Sequence, residues 1–284
     1  TGISEVSGAG TYKWGASVAI DATVTSGYTW SKWTPTGTTP STFASATKSQ
    51  TIVMEVGAAT LTASAGDTTA PTTTISSTSN AKATGQTLTL TCTDGVGVTG
   101  TYIGTSTTPT WTTVTSATSV TASTTISSAG TYYAYCKDAA GNTSTVTSAT
   151  IISYTVYNML EKAAGTTGTY TTTNYDTSSS TTYIIASGTS KKPSDLYTHP
   201  GSGSTTYAGY RAAAPGTTHG AVTTGDTAFT ITSGGSYSFW FNRNKYALTL
   251  SKGTGISNVT GSGTYKWGAS VAIDATVTTG YTWS

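Results

Sequence analysis

Side chains able to do chemistry are scarce in this 284-residue chain. It has 11 acidic residues, 13 lysines and arginines, two histidines and two cysteines. A nucleophilic triad needs a histidine set between a nucleophile and an orienting carboxylate. His199 and His219 stand in the loop-like stretches "LYTHPGSG" and "TTHGAV". Serine is so abundant around them that its proximity carries no information, and both read as surface histidines. A glycosidase needs two carboxylates facing one cleft. Asp21 and Asp274 sit in the strand-like "VAIDA", a structural setting. No catalytic pair emerges, and the chain reads as a non-enzyme.

Four other residues point to metal chemistry. Asp67, Asp94, Asp138 and Asn142 close strand-like runs in "DTTAP", "LTCTDG" and "CKDAAGN". Gathered at one end of a β-module they offer hard oxygen ligands, which suit calcium. "DAAGN" is equally well explained as a turn in which Asp and Asn bond their own backbone. Calcium is therefore the one cofactor the residues allow, beside the reading with none. The two cysteines, Cys92 in "LTLTCTD" and Cys136 in "YYAYCKD", are too few for a zinc site. Strand alternation puts Leu88, Leu90 and Cys92 on one face, and Tyr132, Ala134 and Cys136 on another. Both thiols can point inward, as two free buried thiols or as a bridge.

The elements that would position these residues are strands. Charged residues make up 8% of the chain, against about a quarter in ordinary globular proteins. Thr and Tyr are abundant, and β-branched and aromatic side chains suit a pleated surface. Short alternating runs recur between Gly, Ser and Asp turns. The fold class is all-β, as tandem small domains strung like beads. The net charge of +2 gives no footprint for nucleic acid. No apolar run reaches the length of a membrane span. One short helix is expected in "YNMLEKAAG", where helix formers cluster. The stretch from 187 to 222, rich in Gly, Pro and Tyr, is expected to form long loops.

The chain repeats itself. Residues 1–31 return as residues 254–284 with four changes: Glu5 to Asn258, Ser7 to Thr260, Ala9 to Ser262 and Ser26 to Thr279. The period is 253 residues, and four segments follow: 1–66, 67–153, 154–245 and 246–284. "DTTAPTTT" reads as the linker into the second. The second copy is preceded by "KYALTLSKG", which has no counterpart before the first. Tyr246, Leu248 and Leu250 are therefore expected to form an inter-repeat strand. It belongs to the preceding period of a covalent array, or is donated by another chain across an edge.

Segments 1–66 and 246–284 resemble bacterial surface repeats related to the internalin B-repeat. The motifs are "KYALTLSKGTGIS", "GTYKWGASVAIDATV" and "GYTWSKW". Segment 67–153 resembles bacterial immunoglobulin-like domains of large adhesins, through "DTTAPT", "LTCTDGVGVTGTYIGT" and "AGTYYAYCKDAAGNTS". The second resemblance implies an immunoglobulin-like β-sandwich with a Cys92–Cys136 bridge between its sheets, and hence an oxidising compartment. The tyrosine that family carries two residues before its second cysteine is Ala134 here. Both families imply stalk or spacer modules outside the bacterial cell.

Aromatic residues complete the candidates. Trp14, Trp30, Trp33, Trp240 and Phe241 read as core. Tyr197, Tyr207, Tyr210 and Arg211 lie in the loop-rich part of 154–245 and are the candidates for stacking on a glycan or a host protein. Two functions are thus expected: a structural segment of a tandem-repeat surface protein whose partners are copies of itself, or a binding module presented by segment 154–245.

Overall fold

The structure is a computed structural model and describes residues 2–55, 57–78, 80–164, 170–216 and 221–284. It is all-β and divides into two compact units. The first takes residues 1–76, 89–124 and 132–148; the second takes residues 77–88, 125–131 and 149–284. The two copies of the repeat thus fall in different units, and segment 67–153 contributes to both. Among the described residues, no helix is long and apolar enough to cross a membrane.

In the first unit, β1 (Ile3–Ser7), β2 (Ala16–Val24) and β4 (Gln50–Met54) form one antiparallel sheet, in the order β1-β2-β4. β3 (Tyr28–Gly37) and β5 (Ala59–Asp67) form a second. Alternation along β2 buries Val18, Ile20 and Ala22, and these meet Ile52 of β4 and Trp33 of β3 in one core. Trp33 is 2% exposed and its Nε1 donates to Lys48 O. Trp14 is 81% exposed, in the turn before β2, and does not fill the core as expected. The expected linker is shorter than read, because Asp67 still belongs to β5 and Thr72 already opens β6 (Thr72–Ser77). Then come β7 (Gln86–Gly104), β8 (Thr112–Ile126) and β9 (Gly130–Asp138). β7 pairs antiparallel with β9, and Leu90, Cys92, Val98, Ala134 and Cys136 bury together.

In the second unit, β10 (Thr147–Glu161) is the central strand. It pairs antiparallel with β11 (Tyr175–Ala186) and parallel with β15 (Gly235–Arg243). The expected helix at "YNMLE" is therefore strand. Met159 is 2% exposed and Glu161 fully buried, so pairing on both sides of β10 overrides helix propensity, which is only a weak prior. Both faces of β15 are buried: Tyr237, Phe239 and Phe241 enter one apolar cluster and Trp240 the other. Such two-sided burial explains the unbroken run "SFWF". The stretch expected as loops holds β12 (Thr189–Lys191), a single helical turn α1 (Pro193–Leu196) and β13 (Thr205–Arg211). β13 pairs with β15, and β12 with β14 (Phe229–Ile231).

The second repeat copy ends this unit with β16 (Lys245–Leu248), β17 (Ile256–Thr260), β18 (Gly263–Lys266) and β19 (Asp274–Val277). The pair β17–β19 repeats β1–β2 residue for residue. Ile3 faces Val24 and, after a bulge, Glu5 faces Thr23. Ile256 faces Val277 and, after the same bulge, Asn258 faces Thr276. Each copy turns on a glycine in left-handed conformation, Gly8 at φ 93° and Gly261 at φ 106°. A Cβ there would fall 2.5 Å from Ala19 O or 2.6 Å from Ala272 O, so no other residue fits.

Candidate metal centre

Cys92 and Cys136 are joined by a disulfide, with Cα atoms 5.9 Å apart. An aspartate follows each cysteine by two positions: Cys92-Thr93-Asp94 and Cys136-Lys137-Asp138. A period of two keeps each acid on the face of its cysteine, and that face is buried. Asp94 is 7% exposed and Asp138 2%. The bridge thus brings two carboxylates inward side by side. Asp67, at the end of β5, supplies a third. One carboxylate oxygen from each lies within 4.8 Å of the other two.

Local turns account for part of this arrangement. Asp94 Oδ2 accepts from Val96 N at 2.8 Å and Gly97 N at 2.7 Å. Asp138 Oδ1 accepts from Asn142 N at 2.8 Å, its Oδ2 accepts from Asn142 Nδ2 at 2.7 Å, and Asp67 Oδ1 accepts from Thr69 N at 2.9 Å. Turn chemistry leaves two atoms unexplained. Asp94 Oδ1 and Asp67 Oδ2 are buried with no hydrogen-bond partner among the described residues. Two carboxylates this close repel by at least about 3 kcal/mol at an effective dielectric of 20.

A divalent cation would remove both difficulties. Calcium binds oxygen at about 2.3–2.6 Å, so two ligands of one ion sit at most about 5 Å apart. The cluster meets that spacing, its donors are all hard oxygens, and its unpartnered atoms are free to ligate. Asp67, Asp94 and Asp138 would hold such an ion. Asn142 takes a different role from the expected one. Its amide nitrogen donates to Asp138 Oδ2 and, at 3.2 Å, to Asp67 O. It clamps the acids and presents N–H rather than oxygen to them. A shallow cleft lined by Thr69, Ala70, Thr72, Thr93, Asp94 and Gly95 opens at Asp94.

The candidate stacking residues lie elsewhere, in the second unit. Tyr197 and Tyr207 stack on each other at 5.0 Å between centroids, and both pack on Phe241. Tyr210 stacks on Phe229 and Phe239. All three rings are half-buried against the core cluster of Tyr154, Val156 and Leu196. Burial pushes the Tyr207 hydroxyl well above the usual phenol range, and that hydroxyl has no hydrogen-bond partner among the described residues. Arg211 closes β13, half-buried. His199 is half-buried too, with its ring 4.7 Å from Phe241 and Nδ1 3.1 Å from Thr205 Oγ1. His219 lies outside the described residues.

Sequence reasoning missed one polar site. Glu161, fully buried at the end of β10, places Oε1 3.0 Å from Lys266 Nζ, and its Oε2 accepts from Arg243 N at 3.0 Å. The available signal was the repeated "YKWG", which sets a lysine beside a tryptophan in both copies.

Comparison with protein-family models, with curated proteins and with solved structures finds no match to this chain.

Proposed function

We propose that the chain is a stretch of a long tandem-repeat bacterial surface protein of period 253, acting as an adhesin stalk or extracellular filament. The observation that carries this reading is the return of one β-hairpin, with the same register, bulge and left-handed glycine, 253 positions along the chain. Small β-modules joined in series add length by adding periods. The resemblance of 1–66 and 246–284 to internalin B-repeat-like modules supports it. So does the resemblance of 67–153 to immunoglobulin-like adhesin domains. The disulfide fits an oxidising, extracellular setting. Calcium at Asp67, Asp94 and Asp138 would tie β5 to β7 and β9 and stiffen the passage between consecutive modules. The rings of Tyr197, Tyr207 and Tyr210 serve packing within this reading. Electron microscopy of the native material tests it. Extended rods with a recurring axial spacing are expected; isolated particles of single-unit size would overturn it.

A further inference from the structure

One face of the β7–β9 pair is aromatic where the neighbouring surface is threonine and serine. Past the bulge between Val98 and Gly100, the register sets Gly100 opposite Lys137, Tyr102 opposite Tyr135 and Gly104 opposite Tyr133. Their strand neighbours Thr101, Ala134 and Cys136 are buried with the disulfide, so a period of two turns these six residues to the outer face. All of this lies within the first unit.

The two glycines let the rings lie along the sheet. A Cβ at Gly104 would collide with Tyr102 Oη, so the Tyr102 ring lies over its own strand and does not stand off it. A Cβ at Gly100 would fall 3.3 Å from Trp111 Cε3 and 3.4 Å from Lys137 Cε, so Trp111 comes in over the same strand. Tyr135 stands beside Tyr102 with 6.2 Å between ring centroids, and Lys137 Nζ lies 5.0 Å from the centre of the Trp111 ring. The segment between β7 and β8 takes the hydroxyl ends of both tyrosines. Ser106 N donates to Tyr102 Oη at 3.1 Å, and Tyr135 Oη donates to Thr107 O at 3.0 Å. Tyr102, Trp111, Tyr133 and Tyr135 are half-buried, so each keeps part of its ring in water.

The face carries one charge. Across β7, β8 and β9 the charged residues are Asp94, Lys137 and Asp138. Both acids are buried on the disulfide's side, which leaves Lys137 alone among the rings. Among the described residues Lys137 has no ion-pair partner.

We propose that this face binds an acidic polysaccharide, its pyranose rings stacked on Tyr102, Tyr135 and Trp111 and a uronate carboxylate held by Lys137. A pyranose presents C–H bonds on its flat faces and hydroxyls around its edge. Those C–H bonds suit the negative face of an aromatic ring. A small ligand asks for a concave pocket, whereas rings laid along an open sheet suit consecutive sugars of a chain. A cation without a partner favours a chain that carries carboxylates. The site lies in segment 67–153 and not in 154–245, where the sequence placed the stacking residues. It adds a ligand to the stalk role and does not depend on the repeat.

Calorimetric titration of oligogalacturonate into the 284-residue chain tests this. Chelator is kept present so that no ion at Asp67, Asp94 and Asp138 bridges to the ligand. Saturable binding is expected, weakening as salt rises. Trp111→Ala is expected to weaken it about tenfold. Lys137→Gln is expected to weaken it about threefold to fivefold, the worth of an exposed ion pair. That side chain is half-buried and holds no ion pair among the described residues, so the variant keeps its fold. A neutral oligogalactoside of the same length is expected to bind more weakly, and equally to the parent chain and to Lys137→Gln. No saturable binding of oligogalacturonate, or equal binding by the parent and both variants, overturns the proposal. Equal affinity for the acidic and the neutral chain overturns it as well, because Lys137 would then select nothing.

Discussion

Removing the disulfide offers the sharpest energetic test of the first unit. Cys92 and Cys136 are 44 residues apart and both are fully buried beside Leu90, Val98 and Ala134. Cross-linking a loop of that length removes denatured-chain entropy worth about 4 kcal/mol at 25 °C. The double substitution Cys92→Ala, Cys136→Ala should therefore cost that much, with a smaller addition for lost packing. Hydrogen exchange read by mass spectrometry localises the loss. Amides of β7 and β9 should exchange about a thousandfold faster in the variant, since each factor of ten is about 1.4 kcal/mol. Amides of β11 and β15, in the other unit, serve as the internal reference. Acceleration of less than about tenfold in β7 and β9 would refute the reasoning, because the bridge would then not constrain the strands that present Asp94 and Asp138.

Three further predictions follow from named groups. Calcium at a hundred times its dissociation constant should stabilise the chain by about 2.7 kcal/mol. Asp94→Asn should abolish the shift while leaving stability in chelator unchanged or higher; thermal melts with and without calcium check this, and an equal shift in the variant would remove the ion from this site. Asp21 is held down to about 2 from its ordinary 3.8, first by Lys48 Nζ, then by Ser49 Oγ and Ala22 N. A depressed carboxylate stabilises above its unfolded value and loses that contribution as pH falls through its folded one. The first copy should therefore weaken between about pH 4 and pH 2, and Lys48→Ala should flatten this dependence in melts across the range. Lys266→Ala leaves the buried carboxylate of Glu161 without its cation, which should cost about 3–5 kcal/mol; chemical unfolding measures it, and a loss under about 1 kcal/mol would contradict the pairing.

Much of this architecture is legible in the residues because strands with one buried face alternate. "VAIDA" and "QTIVMEV" announce β2 and β4 by period two, and the repeat announces its own boundaries. The meeting of Asp94 and Asp138 was legible for the same reason, since C-x-D on two alternating strands keeps both acids with the bridge. Segment 154–245 was harder to read. β10 and β15 are buried on both faces and lose the alternation, and Met159, Leu160 and Glu161 favour helix locally. Only their pairing on both sides makes them strand. The seats of Lys266 and Trp267 were hidden because their parts, Glu161 for the lysine and Arg243 and Gly201 for the tryptophan, are brought together by the fold and not by sequence spacing. Trp14 was misread because the partners of its counterpart Trp267, namely Gly201, Arg243 and Asn244, stand far downstream of the first copy.

The mass of the native protein, denatured and fully reduced, tests the repeat account most directly. Covalent periods of 253 residues predict one chain many times heavier than the 28.8 kDa described here. A native chain of 28.8 kDa would contradict it.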